Sequence, residues 1–163
     1  MEAYERAHEN YATDDDIAQP RQHARIVHVE DDEDLRTLCG EILAEAGFDV
    51  LGCPTIQAGR MAIEARVPDV LLIDQDLPDG SSLALVRWVR SEPAYARVQI
   101  IVFSARKGRA DVERALAAGC DAFLGKPCMP EMLVDTIQTM VVTPVPESGT
   151  QLSGQKRKYV PAP

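Results

Sequence analysis

The chain has 163 residues, 45% of them hydrophobic, enough for one ordinary core and too few for two comfortable domains. Its formal net charge of -9 argues against nonspecific binding to nucleic acid or to an anionic membrane, since both need clustered cations to meet phosphate. No apolar run approaches the ~20 residues that span a bilayer, and the N-terminus has neither a basic start nor an apolar stretch of signal-peptide length, so the chain reads as cytoplasmic, without membrane insertion.

In chain order, residues 1–24 carry six acids against two bases and are expected to be a disordered acidic extension. Residues 25–142 alternate short apolar runs with longer stretches of helical period, the pattern of a parallel sheet with crossover helices. "RIVHV" (25–29) predicts the first strand, with His28 satisfied or facing the surface in preference to serving as a ligand. "DLRTLCGEILAEAG" predicts a helix burying Leu35, Leu38, Ile42, Leu43 and Ala46, with Gly47 at its end. "FDVLGC" predicts the second strand, and a helix follows with Thr55 as its N-cap and Pro68 beyond it. "DVLLI" is continuous in apolar residues, as suits a central strand covered on both faces.

After the turn "LPDG", Ser81 or Ser82 is expected to cap the helix "LALVRWVRS", with Trp88 at the flank of its apolar stripe. "VQIIVF", "RADVERALAAG", "DAFLG" and "PEMLVDTIQTMV" complete five βα units, with Gly119 closing the fourth helix and Pro130 opening the fifth. Residues 143–163, one acid against three bases, are expected to be a disordered Pro- and Gly-containing basic tail. Cys39, Cys53, Cys120 and Cys128 form no C-x-x-C pair, and no histidines stand at zinc spacing, so the cysteines read as small buried hydrophobes.

In an open parallel sheet, ligands bind beyond the strands' carboxyl ends. Glu30 and Asp31 follow the first strand, Asp74 the third, Ser104 the fourth, and Lys126 with Pro127 the fifth; the second offers nothing ionisable. The five acids Glu30 to Asp34 need an explanation, because two carboxylates about 4 Å apart repel by roughly 4 kcal/mol at an effective dielectric near 20. Asp32, Glu33 and Asp34 suit the positive N-terminal end of a helix. Glu30 and Asp31 join Asp74 as a candidate site for a hard divalent cation, and Mg²⁺ fits a few carboxylates with room for water and phosphate. Beside a hydroxyl and an ammonium group, that is equipment for phosphoryl transfer to Asp74.

The segments "VEDDEDLR", "LLIDQDLPDG", "IIVFSA" and "FLGKP", in that order and spacing over residues 25–142, resemble the receiver domains of two-component response regulators, including the single-domain chemotaxis regulator. The resemblance implies a flavodoxin-like, doubly wound, five-stranded parallel sheet of order 2-1-3-4-5 with helices on both faces. It implies Asp74 as phosphoacceptor, Asp31 binding Mg²⁺ directly, Glu30 assisting through water and the backbone carbonyl of Asp76 as a further ligand. It also implies Ser104 and Lys126 contacting the phosphoryl oxygens, a cis Lys126–Pro127 bond, and a switch in which Ser104 moves inward and Phe123 rotates.

Phe123 lacks the hydroxyl of the commoner tyrosine, Cys128 stands where a large apolar residue is usual, and acidic Asp76 falls at a variable position. Asp76 and Arg106, each two residues beyond a site residue, are a possible gate to hydrolytic water. The expected partners are a histidine kinase or phosphotransferase and an output protein on the face from the fourth helix to the fifth. The whole is expected to be a stand-alone phosphoacceptor rather than an enzyme. Two rival readings are a receiver-like interaction module that is not phosphorylated and a Mg-dependent, haloacid-dehalogenase-like phosphatase. The second would want its D-x-D motif on the first strand and a threonine or valine where Pro78 stands.

Overall fold

In the computed structural model, the described residues are 23–142, together with the backbone of 158–160. The strands are β1 (Arg25–Val29), β2 (Asp49–Cys53), β3 (Val70–Ile73), β4 (Asp76–Leu77), β5 (Gly80–Ser81), β6 (Gln99–Ser104), β7 (Ala122–Gly125) and β8 (Lys158–Val160). The helices are α1 (Glu33–Glu45), α2 (Ile56–Ala65), α3 (Ser82–Ser91), α4 (Arg109–Ala118) and α5 (Pro130–Val142), with a 3₁₀ turn at Pro93–Tyr95.

Strands β2-β1-β3-β6-β7 form the expected parallel sheet in the expected order, and β8 extends it by one strand beyond β7. Lys158–Val160, within the segment expected to be a disordered tail, form that strand. Their aromatic and β-branched pair suits a strand, and the edge of β7 is a row of main-chain groups that an extended segment can satisfy. The remainder of 143–163, like residues 1–22, lies outside the described residues.

Side-chain alternation divides the core. Val27, Val29, Leu71, Ile73, Ile100, Val102 and Phe123 pack under α2, α3 and α4. Ile26, Val70, Leu72, Ile101, Phe103 and Leu124 pack under α1 and α5. Helix α2 lies so close to β1 that a Cβ on Gly59 would meet Val29 Cγ2 at 2.5 Å, which leaves room only for glycine there.

The caps follow the sequence. Asp32, Thr55 and Ser81 each accept a backbone N–H in the first turn of α1, α2 and α3, and Gly119 closes α4 at φ 115°. On α1 the buried stripe runs through Cys39 where Leu38 was expected. Leu38 is 53% exposed, because Leu35, Cys39, Ile42, Leu43 and Ala46 keep the i, i+4, i+7 spacing of one face and Leu38 falls at its margin. The turn "LPDG" closes the small antiparallel hairpin β4–β5. Trp88 packs against the core with Tyr95 5.1 Å away, and the Arg60 guanidinium lies 4.4 Å over its ring.

Cys39, Cys53 and Cys120 are buried and Cys128 half-buried, none in a disulfide. Burial raises the Cys39 thiol to about 11 and also raises Cys53 and Cys128, so these are packing residues rather than nucleophiles. His28 departs from expectation: it is fully buried, and neither ring nitrogen has a hydrogen-bond partner.

Candidate functional site

The sheet order makes β1 and β3 neighbours, and from this pair the chain winds outward in opposite directions. Val29 pairs with Ile73, so Glu30 and Asp74 leave the sheet side by side. The Asp74 amide donates to the Val29 carbonyl at 2.9 Å and the Glu30 amide to the Cys53 carbonyl at 3.0 Å. Ser104 pairs with Gly125, and the Lys126 amide donates to the Ser104 carbonyl at 2.9 Å. Four separate strand ends thus deliver their side chains to one place.

One carboxylate oxygen each from Glu30, Asp31 and Asp74 lies within 4.8 Å of the others. Glu30 and Asp74 are buried and Asp31 is exposed. Lys126 Nζ, on the cis Lys126–Pro127 segment, donates to Glu30 Oε2 at 2.6 Å and stands 3.3 Å from Asp74 Oδ2, 5.1 Å above the Phe103 ring. Burial lifts the Glu30 carboxyl above the usual carboxylate range; the Lys126 ammonium opposes that lift, and Asp74 adds to it. Asp74 Oδ1 accepts the Gln75 amide at 2.6 Å, which leaves Oδ2 toward the lysine.

Ser104 is fully buried, and its Oγ accepts the Arg106 amide at 3.0 Å. Phe123 is fully buried in the core beneath α4. Arg106 Nε and Asp76 Oδ2 stand 3.0 Å apart as an exposed ion pair, so the two proposed gate residues do meet. Every residue of the sequence-derived site is therefore on this edge except Phe123, which lies one layer below.

Two contributors escaped sequence reasoning. Arg36 Nη1 donates to the carbonyls of Glu30 at 2.7 Å and Asp31 at 3.2 Å. Asp79 accepts the Ile56 and Gln57 amides at 2.9 and 3.0 Å, tying the β4–β5 hairpin to the start of α2. The signal for Arg36 was its place in the first turn after the acidic run. Asp79 had none, because its partners are more than 20 residues away.

Residues 26–138 match the family model described as the response regulator receiver domain. The chain belongs to that family. The receiver domain is 33% identical over 116 residues to the transcriptional regulatory protein GltR of Pseudomonas aeruginosa, covering 71% of this chain and 48% of that one. It is 34% identical over 102 residues to the KDP operon transcriptional regulatory protein KdpE of Escherichia coli, covering 63% and 44%. The chain spans about half the length of these curated relatives. It covers 93% of the polar-differentiation response regulator DivK of Brucella anthropi, at 27% identity over 115 residues and 70% of this chain. The receiver fold is similar to that of the chemotaxis response regulator CheY4 of Vibrio cholerae, with a TM-score of 0.69 at 23% identity, covering 72% of this chain and 98% of that one. Among the described residues of this receiver domain, no helix is long and apolar enough to cross a membrane.

Proposed function

We propose that this receiver domain is a phosphoacceptor, in which Asp74 takes a phosphoryl group from a phosphohistidine of a histidine kinase or phosphotransferase and the change is read by a partner protein on the face from α4 to α5. The observation that carries this reading is Lys126 Nζ set between Glu30 and Asp74 beside a three-carboxylate cluster. The donor set fits Mg²⁺, because it is all oxygen, without thiolate or imidazole, and one member faces solvent. Asp31 and Asp74 would hold the ion, Glu30 would assist through water since Lys126 and the Asp32 amide already engage it, and the Asp76 carbonyl would complete the protein's share. Bound there, Mg²⁺ supplies charge neutralisation for the incoming phosphoryl oxygens.

The protein's residues do the rest. Asp74 Oδ2 presents a carboxylate for in-line attack; the new P–O bond forms as the donor's bond to phosphorus breaks, and the leaving group departs with that electron pair. Lys126 draws charge from the transferred group. Ser104 Oγ, which accepts the Arg106 amide, donates its O–H to a phosphoryl oxygen as the side chain moves inward, and Phe123 fills the space released. An added charge of about -1.5 to -2 is enough to bias such a two-state loop. The reaction is self-modification, so no catalytic turnover on a second substrate is expected.

Acetyl phosphate with Mg²⁺, read by intact mass, should add one phosphoryl group to the wild type and none to Asp74→Asn, and a chelator should abolish the addition. Full labelling of Asp74→Asn would refute the assignment. Sustained phosphate release would favour a phosphatase, and absence of modification an unphosphorylated interaction module.

A further inference from the structure

The geometry points to Arg36 as a positioning residue for the acidic cluster, latching the main chain of Glu30 and Asp31, with Gly52 kept small so that the arginine can reach. The inference rests on that cluster being the Mg²⁺ site proposed above. Arg36 is the fourth residue of α1, and one of its nitrogens, Nη1, donates to the carbonyls of Glu30 at 2.7 Å and of Asp31 at 3.2 Å. From the other side, the Glu30 amide is held by the Cys53 carbonyl at 3.0 Å. The turn that carries two of the three clustered carboxylates is therefore fixed between β2 and one guanidinium. Fixing the backbone fixes where Cα–Cβ bonds point, and so where short acidic side chains can place their oxygens.

Gly52 supports this assignment independently. It lies in β2, opposite His28, and has no positive φ to require glycine. Glycine weakens a strand and often marks close approach of another group. The three nearest atoms that a Cβ at Gly52 would meet all belong to Arg36: Cγ at 3.0 Å, Cδ at 3.1 Å and Nε at 3.7 Å. The strand has given up a side chain where the arginine stem crosses it.

Charge alone predicts the opposite behaviour, and that makes the inference testable. A guanidinium beside a dication site repels the ion, so a purely electrostatic Arg36 would weaken Mg²⁺ binding, and Arg36→Ala would tighten it. A latch predicts that Arg36→Ala loosens the turn and weakens binding, as loss of a residue supporting metal ligands typically does, by about tenfold or more. Gly52→Val keeps the positive charge, adds a β-branched residue suited to a strand, and pushes the stem aside.

The experiment is Mg²⁺ titration of the full chain by calorimetry, with thermal midpoints in chelator confirming that each variant folds. Arg36→Ala and Gly52→Val should both bind Mg²⁺ more weakly than wild type, Arg36→Lys should fall between wild type and Arg36→Ala, and Arg36→Ala/Gly52→Val should be no weaker than Arg36→Ala alone. Equal or tighter binding by Arg36→Ala overturns the proposal, as does an unaffected Gly52→Val or a double variant whose losses add in full. Asp31→Asn separates the two levels. If it loses Mg²⁺ while Arg36→Ala does not, only the latch falls; if it binds as wild type does, the ion is not in this cluster and both readings fall.

Discussion

His28 is a fully buried imidazole with neither nitrogen hydrogen-bonded, two residues before the acidic cluster. Burial, with the Lys126 and Arg36 charges adding to it, lowers its pKa from 6.5 to about 4. The folded state thus holds His28 neutral while the unfolded chain protonates it below about 6.5, so stability is lost as pH falls from about 6.5 toward 4. His28→Leu removes that loss. Its stability relative to wild type, from urea unfolding in chelator, should rise through this window by on the order of 3 kcal/mol, at 1.36 kcal/mol per pH unit. A pH-independent difference would contradict it. The Glu30 carboxyl, raised by burial, titrates with the opposite sign, which is why the variant difference is the quantity to measure. The Asp76–Arg106 pair belongs to the same scale. Being exposed, it contributes only about 0 to 1 kcal/mol to stability. Its effect on the lifetime of a phosphorylated Asp74 can be larger, since 1.36 kcal/mol in a barrier is tenfold in rate. Asp76→Ala and Arg106→Ala should each speed phosphate loss, measured by mass after acetyl phosphate is removed, with the double variant no faster than the quicker single. Unchanged lifetimes in both singles would dismiss the gate.

Among elements, the β4–β5 hairpin stands out, because its four paired residues have little of their own to hold them. Asp79 secures it by accepting two amides at the N-terminus of α2, and these bonds hold its carboxyl below the usual carboxylate range. Asp79→Ala should cost about 1 kcal/mol, as loss of an N-terminal acceptor does, and should raise hydrogen exchange at the Ile56 and Gln57 amides. Equal protection in wild type and variant would show that Thr55 alone caps α2. The five βα units were legible in the sequence because each follows from local period and punctuation, as where Pro130 opens α5, Gly119 closes α4 and Asp32 caps α1, whereas the short β4, β5 and β8 carry no such signal. Leu38 was misplaced because, in a helix that takes apolar residues at both i+3 and i+4, the period leaves the stripe's margin open. Only the positions of β2 and α5 decide which side is covered.

At the scale of the molecule, the sixth strand adds Lys158–Val160 to the edge of β7, with Tyr159 in register with Phe123. Three residue pairs are few, so this strand should be separable from the site. Tyr159→Pro, which removes a main-chain donor from the middle of β8, should speed hydrogen exchange in Ala122–Leu124 and leave acetyl phosphate labelling of Asp74 unchanged. Loss of labelling would mean that β8 is needed for the site to form, and unaltered exchange that the edge is protected without it.

Sequence by itself determined the alternation of strands and helices and so a parallel sheet with crossover helices, while the strand order was implied by the resemblance to receiver domains. It also determined the identity of the groups at the strand ends, because in such a sheet the residue after each strand must emerge on one edge. It could not determine what depends on two distant segments meeting at atomic range. That Lys126 bridges Glu30 and Asp74, that Arg36 crosses Gly52 to reach the cluster's main chain, that Asp79 caps α2, and that His28 lies buried without a partner are all consequences of packing. A side chain's type and period record which face it prefers, whereas its partner is set by how elements far apart in the chain come to rest against one another.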